Sequence, residues 1–117
     1  RRAGQHQAFY NQEAVSIIQQ NFQNPITVEE VADVCKLNRS YFSKLFKETM
    51  GCTPQEFIIR LRLTKAAEMM KTTNASIGDI SLHCGYPNQL HFSQAFKKRY
   101  GLPPREWRKE NKIMEKS

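Results

Sequence analysis

The stretch TVEEVADVC (residues 27–35) returns as SIGDISLHC (residues 76–84), an offset of 49. A hydroxyl residue, an acid three places on, an apolar pair and a closing cysteine recur in the same order. After one inserted residue the offset becomes 50. Phe42-Ser43 then falls on Phe92-Ser93, Phe46-Lys47 on Phe96-Lys97, Gly51 on Gly101, Pro54 on Pro104 and Glu56 on Glu106. A fixed-period self-similarity of this length marks a repeated supersecondary unit. Each copy reads as short helix, tight turn, longer helix and glycine stop, which is a helix-turn-helix built twice.

Local signals place the elements. Thr27 and Glu30 fit a capping box, in which hydroxyl and carboxylate satisfy free amides at a helix start. The short helix that follows is expected to turn Val28, Val31 and Val34 inward and to end near Cys35-Lys36. Asn38 can cap the next helix, whose apolar stripe is Phe42, Leu45 and Phe46, and Gly51 stands where a left-handed residue would close it. Thr53-Pro54-Gln55-Glu56 joins a second capping box to a proline at the first helical position, a strong start signal. This linking helix is predicted over about 54–71, with Phe57, Leu61 and Met70 inward. About 17 residues of helix span about 25 Å. Ser76 and Asp79 open another short helix, Asn88 another, and Pro103-Pro104 the last. Ahead of the first unit, Val15, Ile18 and Phe22, with Ile17 beside them, mark a helical face from Glu13 to before Asn24-Pro25.

The expected fold is all-α, with seven helices in two helix-turn-helix subdomains (27–50 and 76–100) joined by the long central helix. Residues 1–9 lack apolar spacing and read as a linker remnant, residues 10–110 as the domain, and residues 111–117 as a tail.

A chain of 117 residues has single-domain length and buries enough surface for a core without staples. Eighteen basic against eleven acidic residues give a net charge of +7. That excess favours a polyanionic partner, nucleic acid first and an anionic membrane surface second. No stretch approaches the ~18 apolar residues of a membrane span. Arg1-Arg2 lead into polar residues rather than the apolar core of a signal peptide, and the missing initiator Met is expected of a fragment. Three widely spaced cysteines imply no disulfide framework and suit a reducing cytoplasm.

Metal and catalytic readings fail on spacing. Cys35 and Cys84 are repeat-equivalents at the ends of short helices, expected as buried thiols, and Cys52 lies in a turn. No Cys or His pair has zinc-site spacing, so neither metal nor cofactor is expected. His83 and Cys84 are neighbours, but adjacent helical side chains diverge by about 100°. No phosphate-binding glycine loop or nucleophile elbow is present, so an enzyme is not expected.

The chain resembles the DNA-binding domain of the AraC/XylS family of bacterial transcription regulators. The resemblance runs from about Glu13 to Arg108. It is carried by Arg62, Leu63 and Ala66 in the linking helix, by IGDISLHCGY (77–86), by FSQAFKKRYGLPP (92–104) and by Trp107-Arg108. Three positions depart from the family pattern. Lys36 stands where the first turn more often has glycine, Ser81 where alanine is usual, and Pro87 near the usual cap of the second recognition helix. The resemblance implies sequence-specific binding of double-stranded promoter DNA, with two recognition helices in successive major grooves. It further implies regulation, more often activation, with contact to RNA polymerase, and a separate effector-sensing or dimerising domain of which nothing is present here.

A recognition helix buries one face and carries long donors on the other. The first unit offers Arg39, Ser40, Ser43, Lys44 and Lys47; the second offers Asn88, Gln89, Leu90, His91, Ser93, Gln94 and Lys97. The alternative is an ordinary solvated polar face, and two such faces in matched positions favour groove contact. Leu90 is either a tolerated exposed leucine or a contact for a thymine methyl. Phosphate contacts are expected at the helix starts Thr27–Val28 and Ser76–Ile77, where free amides and the dipole attract anions. Lys97, Lys98, Arg99 and Arg105 add positive charge, with Arg108 and Lys109 as further candidates. Arg62 is read as a brace rather than a DNA contact, and Trp107, the repeat mate of Phe57, as core. Two other functions stay open: a non-specific basic nucleic-acid binder, and a helical protein-interaction module.

Overall fold

The computed structural model describes residues 2–112, with side chains from residue 12 onward. Among the described residues there are seven helices and no strand. They are α1 (Arg2–Asn21), α2 (Val28–Val34), α3 (Arg39–Met50), α4 (Pro54–Thr72), α5 (Ile77–His83), α6 (Gln89–Tyr100) and α7 (Pro104–Asn111). The chain forms two compact units, Arg1–Leu61 and Arg62–Ser117, whose boundary falls inside α4. The all-α fold expected from the repeat is the fold adopted. One start differs: α1 begins at Arg2 rather than near Glu13, through the stretch read as a linker. Ala and Gln favour helix by intrinsic propensity, which apolar spacing does not register.

The caps explain why each element starts and stops where it does. Thr27 Oγ1 accepts from the Glu30 amide at 3.1 Å while Thr27 N–H donates to Glu30 Oε1 at 2.9 Å. Thr53 and Glu56 repeat that box at 3.1 and 2.9 Å. Each short helix ends in a Schellman turn, which satisfies two carbonyls the helix would otherwise leave bare. In the first unit Leu37 N–H donates to Ala32 O (3.0 Å) and Lys36 N–H to Asp33 O (2.9 Å). In the second, Tyr86 N–H donates to Ser81 O (2.9 Å) and Gly85 N–H to Leu82 O (3.1 Å). Both turns require a left-handed residue, filled by Lys36 at φ 62° and by Gly85 at φ 95°. Pro87 is the inserted residue, and Asn88 still caps α6. Its side chain accepts from His91 N–H at 3.1 Å, as Asn38 accepts from Tyr41 N–H at 2.8 Å.

Each unit has its own core. In the first, Ala14 and Ile18 of α1 meet Val28, Val31, Ala32 and Cys35 of α2, Phe42 and Phe46 of α3, and Phe57 and Ile58 of α4. In the second, Leu63, Ala66, Met70, Ile80, Cys84, Phe92 and Phe96 are buried. The aromatic geometry repeats closely. Phe42 and Phe46 lie 5.7 Å apart, and Phe57 meets Phe46 edge-on at 5.5 Å. Phe92 and Phe96 also lie 5.7 Å apart, and Trp107 meets Phe96 edge-on at 5.4 Å. Trp107 is half-buried rather than fully inside.

Val34 corrects an expectation. It is 52% exposed, because the inward face of α2 steps through Val28, Val31, Ala32 and Cys35 and leaves Val34 to one side. Ser81, in the small-residue position, is buried, and its hydroxyl donates to Tyr86 O at 2.8 Å, so burial leaves no orphan.

The two turns generate a stability test. A left-handed non-glycine residue costs roughly 1–2 kcal/mol. Glycine's greater unfolded-state freedom offsets roughly 0.5–1 kcal/mol of that. Urea unfolding should therefore show Lys36→Gly stabilising by up to about 1 kcal/mol, and Gly85→Ala destabilising by about 1–2 kcal/mol. Destabilisation by both substitutions would mean that the first turn carries no relievable strain.

Candidate nucleic-acid interface

At 100° per residue, Phe42, Leu45 and Phe46 occupy one side of α3, and the stripe Ser40, Lys44, Lys47 lies about 180° around from it. Phe92 and Phe96 stand to Leu90, Gln94 and Lys97 of α6 in the same way. Burial follows this division: the phenylalanines are closed off and the six stripe residues are exposed. Ser43 and Ser93 are half-buried on the edge of each stripe. The four-residue registers are Ser40, Ser43, Lys44, Lys47 and Leu90, Ser93, Gln94, Lys97. The two helices thus present one geometry with different chemistry.

The remaining sequence-predicted residues lie around these stripes with partners of their own. Arg39 Nη1 is 2.8 Å from Glu29 Oε2, both largely exposed. The Glu29 carboxyl is held below the usual carboxylate range, chiefly by its own backbone amide and also by Arg39. In the second unit the equivalent pair is Gly78 and Gln89, and the Gln89 amide oxygen lies 3.1 Å from where a Cβ on Gly78 would stand. Asn88 uses its side-chain oxygen as the α6 cap. His91 is exposed, and Leu90 is 63% exposed on the outward stripe. Tyr41 was not singled out from the sequence, yet it is 51% exposed and is the repeat mate of His91. The offset of 50 was the signal that finds it.

Of the expected phosphate contacts, Thr27 has its amide engaged by the Glu30 carboxylate, and Val28 has its side chain buried. Ser76 Oγ accepts from Asp79 N–H at 3.0 Å, Ile77 is half-buried, and Lys98 and Arg105 are exposed. Arg99 lies over the Tyr100 ring at 5.9 Å.

Arg108 is occupied elsewhere. Its three guanidinium nitrogens donate to Met70 O (3.1 Å), Ala75 O (2.7 Å) and Thr73 O (2.6 Å). It clamps the end of α4 and the following loop, with Lys112 donating to Thr73 O and to Asn74 Oδ1 (2.6 Å). Arg62 lies over the Tyr86 ring at 5.8 Å, where burial lowers its pKa and raises that of Tyr86. Burial also pushes up the thiols of Cys35 and Cys84, the latter to about 11, which disfavours the thiolate needed for nucleophilic or metal chemistry. Among the described residues, no group of three or more His, Cys, Asp or Glu could hold a metal ion, and no helix is long and apolar enough to cross a membrane.

Two helix-turn-helix units with matched outward stripes are thus on one chain, and a helix-turn-helix domain family model matches residues 31–110. The chain belongs to the AraC/XylS-type helix-turn-helix family. Its seven helices are the DNA-binding domain of that family of transcription regulators. The lactose operon transcription activator of Staphylococcus xylosus is 39% identical over 97 residues, 83% of this chain and 35% of its own length. The C-terminal domain of AraT, a response regulator from Geobacillus stearothermophilus, is similar with a TM-score of 0.88 at 31% identity, covering 92% of this chain and 90% of that one. The DNA-binding domain of AdpA, solved with a target DNA, shares the fold with a TM-score of 0.82 at 21% identity, covering 86% of this chain and 90% of that one. The chain spans about a third or less of the length of the curated relatives it matches.

The Arg108 clamp separates a structural cation from a DNA-binding one. Arg108→Ala leaves Met70 O and Ala75 O without their charged donor and Thr73 O with Lys112 alone, and should cost about 2–3 kcal/mol in urea unfolding. Arg108→Lys should recover only part of this, since an ammonium cannot reproduce the planar fork. The salt dependence of DNA binding by the folded variant should match that of the parent chain. Unchanged stability with a shallower salt dependence would return Arg108 to the phosphate contacts.

Proposed function

We propose that this domain reads an asymmetric double-stranded promoter site as a monomer, placing α3 and α6 in successive major grooves. The observation that carries the reading is the pair of matched stripes, Ser40–Lys47 and Leu90–Lys97, each opposite a buried phenylalanine pair. Identical placement suits two reading heads, and different side chains mean that no palindrome is required. Major grooves on one side of a duplex recur about every 34 Å, so the footprint should cover about two helical turns.

Roles follow from donor and acceptor patterns. Lys44 suits guanine, whose O6 and N7 both accept, and Gln94 suits adenine, where one amide both accepts and donates. Leu90, outward beside Gln94, suits the thymine methyl. Ser40, Ser43 and Ser93 are short donors or acceptors for base edges or backbone, while Arg39, Lys47, Asn88, Gln89, His91 and Lys97 flank them. Lys98, Arg105 and the α5 start at Ser76–Ile77 supply phosphate contacts, which fix register without reading sequence. The α2 start at Thr27–Val28 contributes less, because Glu30 already occupies Thr27's amide.

The likeness to the lactose operon transcription activator supports activation of transcription, and the proposed setting is the bacterial cytoplasm, with RNA polymerase as a partner. The greater length of the relatives supports an effector-sensing or dimerising domain in the whole protein. The domain itself is proposed to do no catalysis and to need no cofactor.

Selection of bound sequences from a random duplex pool tests the reading and supplies the site. Lys44→Ala and Gln94→Ala should then each relax one position, in opposite halves about one turn apart. Each loss should cost about 1–3 kcal/mol of discrimination with circular dichroism unchanged. Uniform weakening across all single-base variants would reduce both residues to backbone contacts. A one-turn palindromic footprint needing two protein copies would remove the monomeric arrangement.

A further inference from the structure

The repeats agree in fold and disagree in charge. Residues 1–61 carry seven basic and six acidic side chains, a net of +1, whereas residues 62–117 carry eleven and five, a net of +6. Almost all of the chain's excess charge therefore lies in the second unit. The difference concentrates at the end of α6 and in α7. There Lys98 stands for Glu48, Arg99 for Thr49, Arg105 for Gln55 and Lys109 for Ile59. All four of these basic residues, with Lys97, are exposed.

Ion pairing falls in different places in the two units: on the recognition helix in the first, and within α4 in the second, where Lys65 lies 3.7 Å from Glu68. In the first unit Arg39 is paired with Glu29 at 2.8 Å, an acid for which the second unit has Gly78. The Glu56 carboxyl is held below the usual range first by the Thr53 backbone, with the charges of Lys47 and Arg60 close enough to contribute. In the second unit, and among the described residues, Lys97, Lys98, Arg99, Arg105 and Lys109 make no ion pair with a carboxylate. Their charge is directed to solvent or to a partner.

Binding that ignores sequence comes almost entirely from cations displacing the counterions of phosphates, at a log–log salt slope of about −0.9 per phosphate neutralised. A unit of net +1 with few exposed cations, Lys44 and Lys47 among them, gains less from that source, and its docking leans on base contacts. A unit of net +6 gains from it on any duplex. Resting on the duplex-reading function proposed above, we infer that the two heads divide the work. The second unit is an anchor that holds the chain on any DNA sequence, and the first unit is a conditional reader that engages fully only where the bases match. On unmatched DNA the chain is held through α6 and α7 while α3 contributes little. On a matched site both heads bear.

The repeat supplies a matched pair of variants for the test, Lys47→Ala and Lys97→Ala, on the full chain. The probes are a random-sequence duplex and the duplex selected from the pool, each titrated between about 50 and 200 mM salt. On the random duplex, Lys97→Ala should flatten the slope by about 0.9, and Lys97→Ala/Lys98→Ala/Arg105→Ala by about 2.7. Lys47→Ala should flatten it by less than about half as much as Lys97→Ala. On the selected duplex the two single variants should flatten the slope alike, because both heads are engaged there. Grafting the second unit's charges with Glu48→Lys/Gln55→Arg should steepen the random-duplex slope by about 1.8 and shrink the preference for the selected site. Lys97→Arg should keep the parent slope, which separates lost charge from a disturbed fold.

Equal flattening by Lys47→Ala and Lys97→Ala on random DNA overturns the division of labour. So does a graft that leaves the random-duplex slope where it was. If the parent chain shows no preference for any selected sequence, the reading function fails, while the slope comparison on random duplex still decides which unit anchors. Failure of the parent chain to bind duplex even at the lowest salt overturns both.

Discussion

Two edge-on aromatic contacts, Phe57 against Phe46 and Trp107 against Phe96, hold each unit's long helix in one rotation about its axis. Once a phenylalanine pair is committed to the inside, helical geometry leaves no choice about which residues point out. Each aromatic pair contributes about 0.5–1.5 kcal/mol beyond its buried area, and burying one phenylalanine contributes about 1.5–3 kcal/mol. A slip of one residue would turn these rings through about 100° and forfeit that stabilisation. The outward stripe is therefore as well fixed as the core it opposes. A surface that discriminates bases must place its side chains to within about an ångström, and a rigid helix supplies that better than a loop.

Much of this was readable from residues because the controlling interactions are local. Capping boxes close within four residues, Schellman turns within six, and the aromatic pairs of α3 and α6 sit four apart. The repeat showed the asparagine cap, the glycine stop and the phenylalanine pair twice each. Lys36 stood out through the family resemblance, as a departure from the glycine usual in the first turn, and it is the left-handed residue there. What the residues did not disclose depends on chain far away or on exclusion. Arg108 bonds to carbonyls 33–38 residues earlier, and nothing in its own neighbourhood distinguishes it from the exposed Arg105. Val34 had the right spacing for an inward valine and lost the place to Ala32 and Cys35. The start of α1 depended on helix propensity where no apolar stripe announced it.

The anion-binding character of helix starts shows how a general rule is overruled by one side chain. The amides opening α2 and α5 are alike in backbone terms, and the dipole favours a negative group at each. At α2 the Glu30 carboxylate is already that group, bonded to Thr27 N–H at 2.9 Å. At α5 Asp79 accepts no such bond, since its shorter side chain leaves only the hydroxyl half of the box in place. A single methylene separates a start that is internally satisfied from one that still offers its outermost amide.

Position 58 of the first unit and position 108 of the second show how far the duplicated halves have diverged. Ile58 is buried in the first core, whereas Arg108 extends to the carbonyls at the end of α4. The units therefore share a plan without being interchangeable parts. Carrying residues 53–60 into the place of 103–110 would keep a proline at the start of the closing helix and an aromatic ring for Phe96. It would also set an isoleucine where Arg108 donates to Met70 O and Ala75 O, and the loop over residues 73–75 would keep only Lys112 as a charged fastening.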